Sequence, residues 1–332
     1  MAKIRSLLVL VFCLAQLNAI SKPNVRIEHQ TSLVKVYAIV RSYYTLDQIN
    51  DILDNPKVDG ITYYIGWSKL NPSLNTYNFS LLNSVLDAVA KKGKKVNFAV
   101  LPGRWSPKWL LGNQQSVMSW KQSDNYVEDG RQTPATAPIP WNANYIDKYF
   151  TFLSALYNDI KPYSSVLNSI AITGGSNTNG IEADLIGTDD ELKRIGFTND
   201  RYTANWQKII SEYVTVFKGF TFTFAIHNLY GSKHTGAISE TLTTWVNQQY
   251  PGKIKFAAYA FTDDSWFNKG NQYADLVLSQ SPSNIVLQSI KIYSKPGRQS
   301  GSFKAMMNKA NQIKPAWLEI WAEDVKAGLL NF

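Results

Sequence analysis

The chain has 332 residues, 45% hydrophobic and 18% charged, with 19 Gly and 13 Pro, which excludes collagenous, fibrous and wholly disordered chains. One large α/β domain or two ordinary ones can bury a full core at this length without disulfide or metal staples. The formal charge is +9, but Lys and Arg are scattered singly or in short clusters such as Lys91-Lys92 and Lys94-Lys95. No basic helix, helix-turn-helix or RNA-binding strand signature accompanies them, so nucleic acid is not an expected partner.

The chain opens with Lys3 and Arg5, an unbroken apolar run from Leu7 to Ala15, and small or polar residues up to Ala19. This reads as a secretory signal peptide over residues 1–19. The run is too short to anchor in a bilayer, so residues 20–332 are expected outside the cell with no membrane span. The only cysteine, Cys13, leaves with the leader, which excludes Cys-ligated zinc, disulfides and a thiol nucleophile from the mature chain. Loss of Lys3 and Arg5 lowers the formal charge from +9 to +7.

Beyond the leader, short β-branched or aromatic runs alternate with stretches of helical period. The predicted strands are Val34 to Val40, Gly60 to Ile65, Lys95 to Leu101, Leu167 to Thr173, Phe220 to Ile226, Ile254 to Ala260, Ile285 to Ile290 and Ala316 to Trp321. Helices are predicted over Leu46 to Leu53, Leu81 to Lys92, Tyr145 to Lys161, Thr203 to Lys218, Ile238 to Gln249, Gln272 to Ser279 and Phe303 to Ile313. Gly93 and Lys314-Pro315 punctuate two of them. Parallel strands need crossover helices, and eight βα units without a linker predict a single-domain α/β fold, a closed (β/α)₈ TIM barrel. An open doubly wound sheet would show a glycine-rich turn after its first strand, where this chain reads Arg41-Ser42-Tyr43-Tyr44. The long insertion after the third strand, Pro102 to Ala143, carries Trp105, Trp109, Trp120 and Trp141. These either shape a cleft or form a satellite core beneath a long loop.

From Val58-Asp59-Gly60 to Trp67, and through Leu70-Asn71-Pro72, Tyr77-Asn78-Phe79-Ser80, Gly93-Lys94-Lys95-Val96 and Pro107-Lys108-Trp109-Leu110, the chain resembles the large retaining clan of (β/α)₈ glycoside hydrolases. This is the clan of beta-galactosidase-like and cellulase-like enzymes. The resemblance implies a carbohydrate substrate or ligand, bound at the C-terminal ends of the strands. It also implies a general acid/base Glu after the fourth strand and a nucleophilic Glu at the end of the seventh, about 5–5.5 Å apart.

After the fourth strand the chain reads Thr173-Gly174-Gly175-Ser176-Asn177-Thr178-Asn179-Gly180-Ile181-Glu182. Asn177 and Glu182 are present but not adjacent, so Glu182 is the expected, displaced acid/base. The seventh strand carries Gln288 in place of a nucleophile, and an amide cannot form a glycosyl ester. Glu319, within the last strand, is the expected second carboxylate, because a charge in an apolar barrel strand is costly unless paired or functional. Asp263 and Asp264 are further candidates, and Glu323 and Asp324 are either candidates or the first turn of a terminal helix. Arg41 either neutralises a lumenal carboxylate or forms a surface ion pair, and His227 either hydrogen-bonds a sugar or orients a carboxylate, or is a satisfied structural residue. Trp67, Tyr259 and Trp321 match positions that the resemblance implies stack beneath a sugar ring, with aromatic core packing as the alternative. With only His29, His227 and His234, no His cluster, no Gly-x-Ser-x-Gly elbow and no phosphate loop, neither metal, cofactor nor serine chemistry is expected. Three readings stay open: a glycoside hydrolase with an atypical second carboxylate; a catalytically lapsed, lectin-like barrel, which Gln288 favours; and a structural secreted protein with no small ligand, which leaves the strand-end aromatics unexplained.

Overall fold

The computed structural model describes residues 34–123, 132–227, 235–263, 267–295 and 301–331. The expected leader, His29, His234 and Asp264 lie outside the described residues. The strands are β1 (Val36–Arg41), β2 (Gly60–Gly66), β3 (Lys95–Leu101), β4 (Leu167–Ala171), β5 (Phe222–Ala225), β6 (Ile254–Phe261), β7 (Ile285–Ser289) and β8 (Trp317–Trp321). Each pairs in parallel with the next, and β8 returns to β1, so the sheet closes into a barrel.

Crossover helices α1 (Leu46–Leu53), α2 (Ser80–Lys91), α3 (Ala143–Ile160), α4 (Asn199–Val216), α5 (Thr235–Gln249), α6 (Gln272–Leu278) and α7 (Phe303–Ile313) follow the first seven strands, and α8 (Ala322–Lys326) follows the eighth. Their ends obey local chemistry. Thr45 and Gln48 form a capping box at the start of α1, and Lys314, in the left-handed region at φ 55°, ends α7 just before Pro315. Glu323 and Asp324 fall in the first turn of α8, the terminal-helix alternative. Among the described residues no helix is long and apolar enough to cross a membrane.

Side chains alternate across a strand, and this parity sorts the molecule into two cores. One face of each strand packs outward with the helices, in a large cluster that includes Ala38, Ile61, Phe98, Ile170, Phe224, Phe256, Leu287 and Leu318. The other face fills the lumen with Tyr37, Ile39, Tyr64, Ala99, Ala171, Ala225, Ala257, Tyr259, Val286, Trp317 and Trp321. The strand β4 stops at Ala171, short of the predicted Thr173, whose hydroxyl meets Tyr149 and Tyr213 at 2.6 and 2.7 Å.

The segment between β3 and α3 contains three short 3₁₀ turns and an antiparallel hairpin, Val117–Ser123 with Gln132–Pro138, which the strand pattern did not predict. Trp109 and Trp141 donate their ring N–H to the carbonyls of Asn71 and Ile195, and Trp120 is buried. Trp105 differs, being 42% exposed.

Candidate active site

Barrel lumens of this kind are ordinarily filled by branched apolar side chains. Here inward positions around the middle of the strands carry a polar chain instead. Its centre is Glu319, 2% exposed. Glu319 Oε1 accepts from Trp317 Nε1 at 3.0 Å and from Asn97 Nδ2 at 3.3 Å, and Oε2 accepts from Gln288 Nε2 at 2.7 Å. Burial raises its pKa from the ordinary carboxylate value, and hydrogen bonds from Gln288, Trp317, Thr62 and Asn97 partly offset that. Asn97 in turn accepts from Asn168 and Ser169 of β4 at 2.7 and 2.8 Å. On the other side, Gln288 Nε2 also donates to the Tyr64 hydroxyl. Tyr64 is hydrogen-bonded to Tyr259, and Tyr259 to Thr223. The network thus joins β2, β3, β4, β5, β6, β7 and β8, and every donor to Glu319 is neutral.

Glu182 belongs to the mouth rather than the lumen. The loop after β4 is buried from Thr173 to Thr178. Its two glycines permit this: a Cβ on Gly175 would lie 2.3 Å from Trp206 Cε2, and one on Gly174, at φ +121°, 2.5 Å from Tyr149 Cε1. The chain then pairs Glu182 with Ala225 at the end of β5 in an isolated parallel bridge. There Asn179 Nδ2 donates to Glu182 Oε2 at 3.3 Å, and His227 Nε2 lies 3.7 Å from Oε1. The Glu182 and His227 side chains are 17% and 21% exposed. Tyr259 links the two levels, since its hydroxyl is pushed upward first by burial and then by the charges of Glu319 and Glu182. At the end of β1, Arg41 lies over the Trp321 ring with its guanidinium carbon 5.1 Å from the centroid, and Trp321 Nε1 donates to the Ser289 carbonyl at 2.9 Å.

The structure therefore brings Glu182, His227, Tyr259, Gln288, Glu319, Trp321 and Arg41 to the lumen and its C-terminal mouth. Two expected contacts are corrected. Trp67, expected beneath a sugar, has no exposed surface and packs edge-on against Trp109, Tyr145 and Tyr149 in the outer core. Strand parity explains this, because Tyr64 points inward and a residue three places on points outward. Asn177, the Asn that the resemblance would set beside the acid/base Glu at the substrate, spends both ends of its amide on the backbone of Ile186, at 2.6 and 3.0 Å, and so clamps the loop that carries Glu182. Asp263 is committed to the loops after β6 and β7, accepting from Lys291, Tyr293 and the Ser302 N–H at 3.0, 2.8 and 2.7 Å. Burial would raise it, but these donors win and hold it at about 2. Asp324 accepts the Tyr293 and Ser294 N–H groups. Sequence reasoning missed Asn97, Thr62, Tyr64 and Thr223, although each lies on the inward parity of a predicted strand.

A surface hollow of about 480 Å³ lies on the helical flank, lined by Phe267, Leu278, Lys309 and Ile313 among others. It touches none of these groups. Among the described residues no cluster of His, Cys, Asp and Glu suited to a metal is present.

The family model for glycoside hydrolase 42, described as beta-galactosidase, matches residues 45–163. That stretch ends before β4, so it contains none of Glu182, Gln288 and Glu319. Among solved structures, the catalytic domain of beta-amylase from Paenibacillus polymyxa is similar over 88% of this chain and 93% of that one, at 11% identity and a TM-score of 0.54. A beta-galactosidase from the psychrophilic Marinomonas ef1 is similar over 86% of this chain, at 9% identity and a TM-score of 0.54, and this chain spans about half of it, 53%. No curated protein matches. The closed barrel and these likenesses show a TIM-barrel fold, and over residues 45–163 the chain is similar to the beta-galactosidase family model.

Proposed function

We propose that this protein recognises a carbohydrate at the C-terminal mouth of its barrel, and that Glu319 acts there as scaffold rather than reagent. Glu182 and His227 are the polar contacts, Tyr259 and Trp321 supply the aromatic floor, and Arg41 fixes the Trp321 ring. The observation that carries this reading is the saturation of Glu319. Retaining hydrolysis needs an ionised carboxylate at the anomeric carbon, facing an acid about 5–5.5 Å away. Both Glu319 oxygens are taken by Trp317, Asn97 and Gln288, and freeing one leaves a buried donor unpaired at about 1–3 kcal/mol. Gln288 holds the β7 position and its amide nitrogen is already engaged. The apolar leader makes the protein a secreted one on this reading, and the N-terminus of the exported product tests that.

A second reading, hydrolysis with Glu182 as general acid, is favoured by one observation. Glu182 lies on the loop after β4, where the resembled enzymes place their acid, with His227 3.7 Å away. The two readings separate on a panel of aryl glycosides and polysaccharides offered to wild type, Glu182→Gln and Glu319→Gln. Saccharide binding without turnover is the expected result. Turnover lost only in Glu182→Gln selects the second reading, turnover lost in a folded Glu319→Gln overturns the scaffold role, and failure to bind any saccharide overturns both.

A further inference from the structure

All six large apolar side chains standing exposed among the described residues, Tyr43, Leu46, Leu74, Leu81, Trp105 and Ile290, lie in loops or first helical turns that follow strands, on the face that carries the mouth. Two are flat rings on neighbouring parts of the rim. Tyr43, after β1, is 64% exposed and stacks on Tyr44 with centroids 5.1 Å apart, and Lys326 lies over the Tyr44 ring at 5.9 Å. Trp105, after β3, is 42% exposed, and the Arg104 guanidinium lies over its ring at 5.1 Å. Each ring is thus part of a stack that includes a cation. Strands β1 and β3 flank β2, so their ends are two strand spacings, about 10 Å, apart, roughly the span of two linked sugar rings.

The charge on this side of the rim is lopsided. Arg41, Lys69, Arg104, Lys108 and Lys326 stand there, against Asp47, Glu323 and Asp324. Of these acids, Glu323 is hydrogen-bonded to the Tyr44 hydroxyl and faces Lys295 at 3.6 Å, so it is already partnered within the stack, and Asp324 is occupied by the N–H groups of Tyr293 and Ser294. Lys69 is held to this edge by donating to the Ser42 carbonyl at 3.2 Å.

We propose that the β1–β3 rim is a run of outer subsites for an extended acidic saccharide, whose rings stack on Tyr43 and Trp105 and whose carboxylates meet Arg104 and Lys326. The inference rests on the carbohydrate reading of the mouth and adds the length and charge of the ligand. Flat rings favour the apolar faces of pyranoses, and the adjoining cations select negatively charged ones.

Affinity electrophoresis through gels containing sodium polygalacturonate, or neutral galactan at equal mass, tests it. The samples are wild type, Tyr43→Ala, Trp105→Ala, Arg104→Gln and the mouth variant Trp321→Ala, with melting curves confirming that the exposed positions leave the fold intact. Polygalacturonate is expected to retard wild type more than galactan does. Each rim variant is expected to lose about tenfold in affinity, and the polygalacturonate preference is expected to shrink in Arg104→Gln and with added salt. Equal retardation by both polymers overturns the acidic specificity. Rim variants that run like wild type while Trp321→Ala loses retention overturn the outer subsites and leave the mouth reading standing. No retardation of any sample by either polymer overturns the inference, and the saccharide panel then decides the mouth separately. Retention on phosphatidylserine vesicles, lost in the rim variants, without polysaccharide binding assigns the rim to a lipid surface and also overturns it.

Discussion

Glu319 is the residue on which the two functional readings divide, and its surroundings predict how its removal behaves. In Glu319→Gln the new amide N–H₂ replaces one of two acceptor oxygens, Oε1 addressed by Trp317 and Asn97 or Oε2 addressed by Gln288, so a donor faces a donor. A loss of about 2–3 kcal/mol is expected in urea unfolding. The pH dependence carries a sign. Burial raises the native pKa, so between the ordinary carboxylate range and that raised value the folded chain holds a proton that the unfolded chain releases. Unfolding free energy therefore falls as pH rises through that window, and Glu319→Gln should lack this component. Asp263 has the opposite sign. Its native pKa of about 2 lies below the ordinary 3.8, so its contribution is present above that ordinary value and lost as pH falls from there through about 2. Asp263→Asn should cost about 2 kcal/mol near neutrality and little in strong acid. Melts of both variants beside wild type at several pH values check the two slopes together.

The loop that presents Glu182 is a built element rather than a drape over the surface. Gly174 and Gly175 bring its backbone against Tyr149 and Trp206, Asn177 clasps Ile186, and the Arg104 N–H reaches the Thr178 carbonyl at 3.0 Å. Gly175→Ala puts a methyl 2.3 Å from the Trp206 ring, so a destabilisation of about 3 kcal/mol is expected, together with weaker saccharide binding as Glu182 shifts. The expectation fails if that variant melts and binds like wild type. The β-branched and aromatic runs made every barrel strand legible in the sequence, with ends displaced only by a residue or two. Assigning faces was harder. Trp67 carries the same residue type and strand-end position as Trp321, and only parity counted from Tyr64 shows that it packs outward. The hairpin Val117–Ser123 with Gln132–Pro138 was not legible, because its second strand, Gln-Thr-Pro-Ala-Thr-Ala-Pro, contains two prolines and little β-branched apolar residue. The lumenal network was hidden for a different reason. Asn97 and Thr223 are ordinary polar residues in sequence, and only barrel closure carries the chain of contacts from them to Glu319.

At the scale of the whole molecule the two ends of the barrel do different work. At the N-terminal end, lysines stitch the connections together: Lys57 donates to the Leu330 carbonyl and Lys94 to that of Asn55, both between loops, and Lys255 of β6 to that of Ser283, at 2.7, 2.7 and 2.6 Å. At the C-terminal end lie the exposed rings and the partly exposed Glu182 and His227, on the face where this fold places its chemistry. The fold leaves open whether that chemistry is turnover or recognition, and the saturated carboxylate argues for recognition. The most direct measurement is calorimetric titration of an oligosaccharide that the panel identifies, into wild type and Trp321→Ala, with reducing ends assayed in the same samples. The account predicts saturable binding that Trp321→Ala weakens and no release of reducing ends. Release of reducing ends by wild type would contradict it.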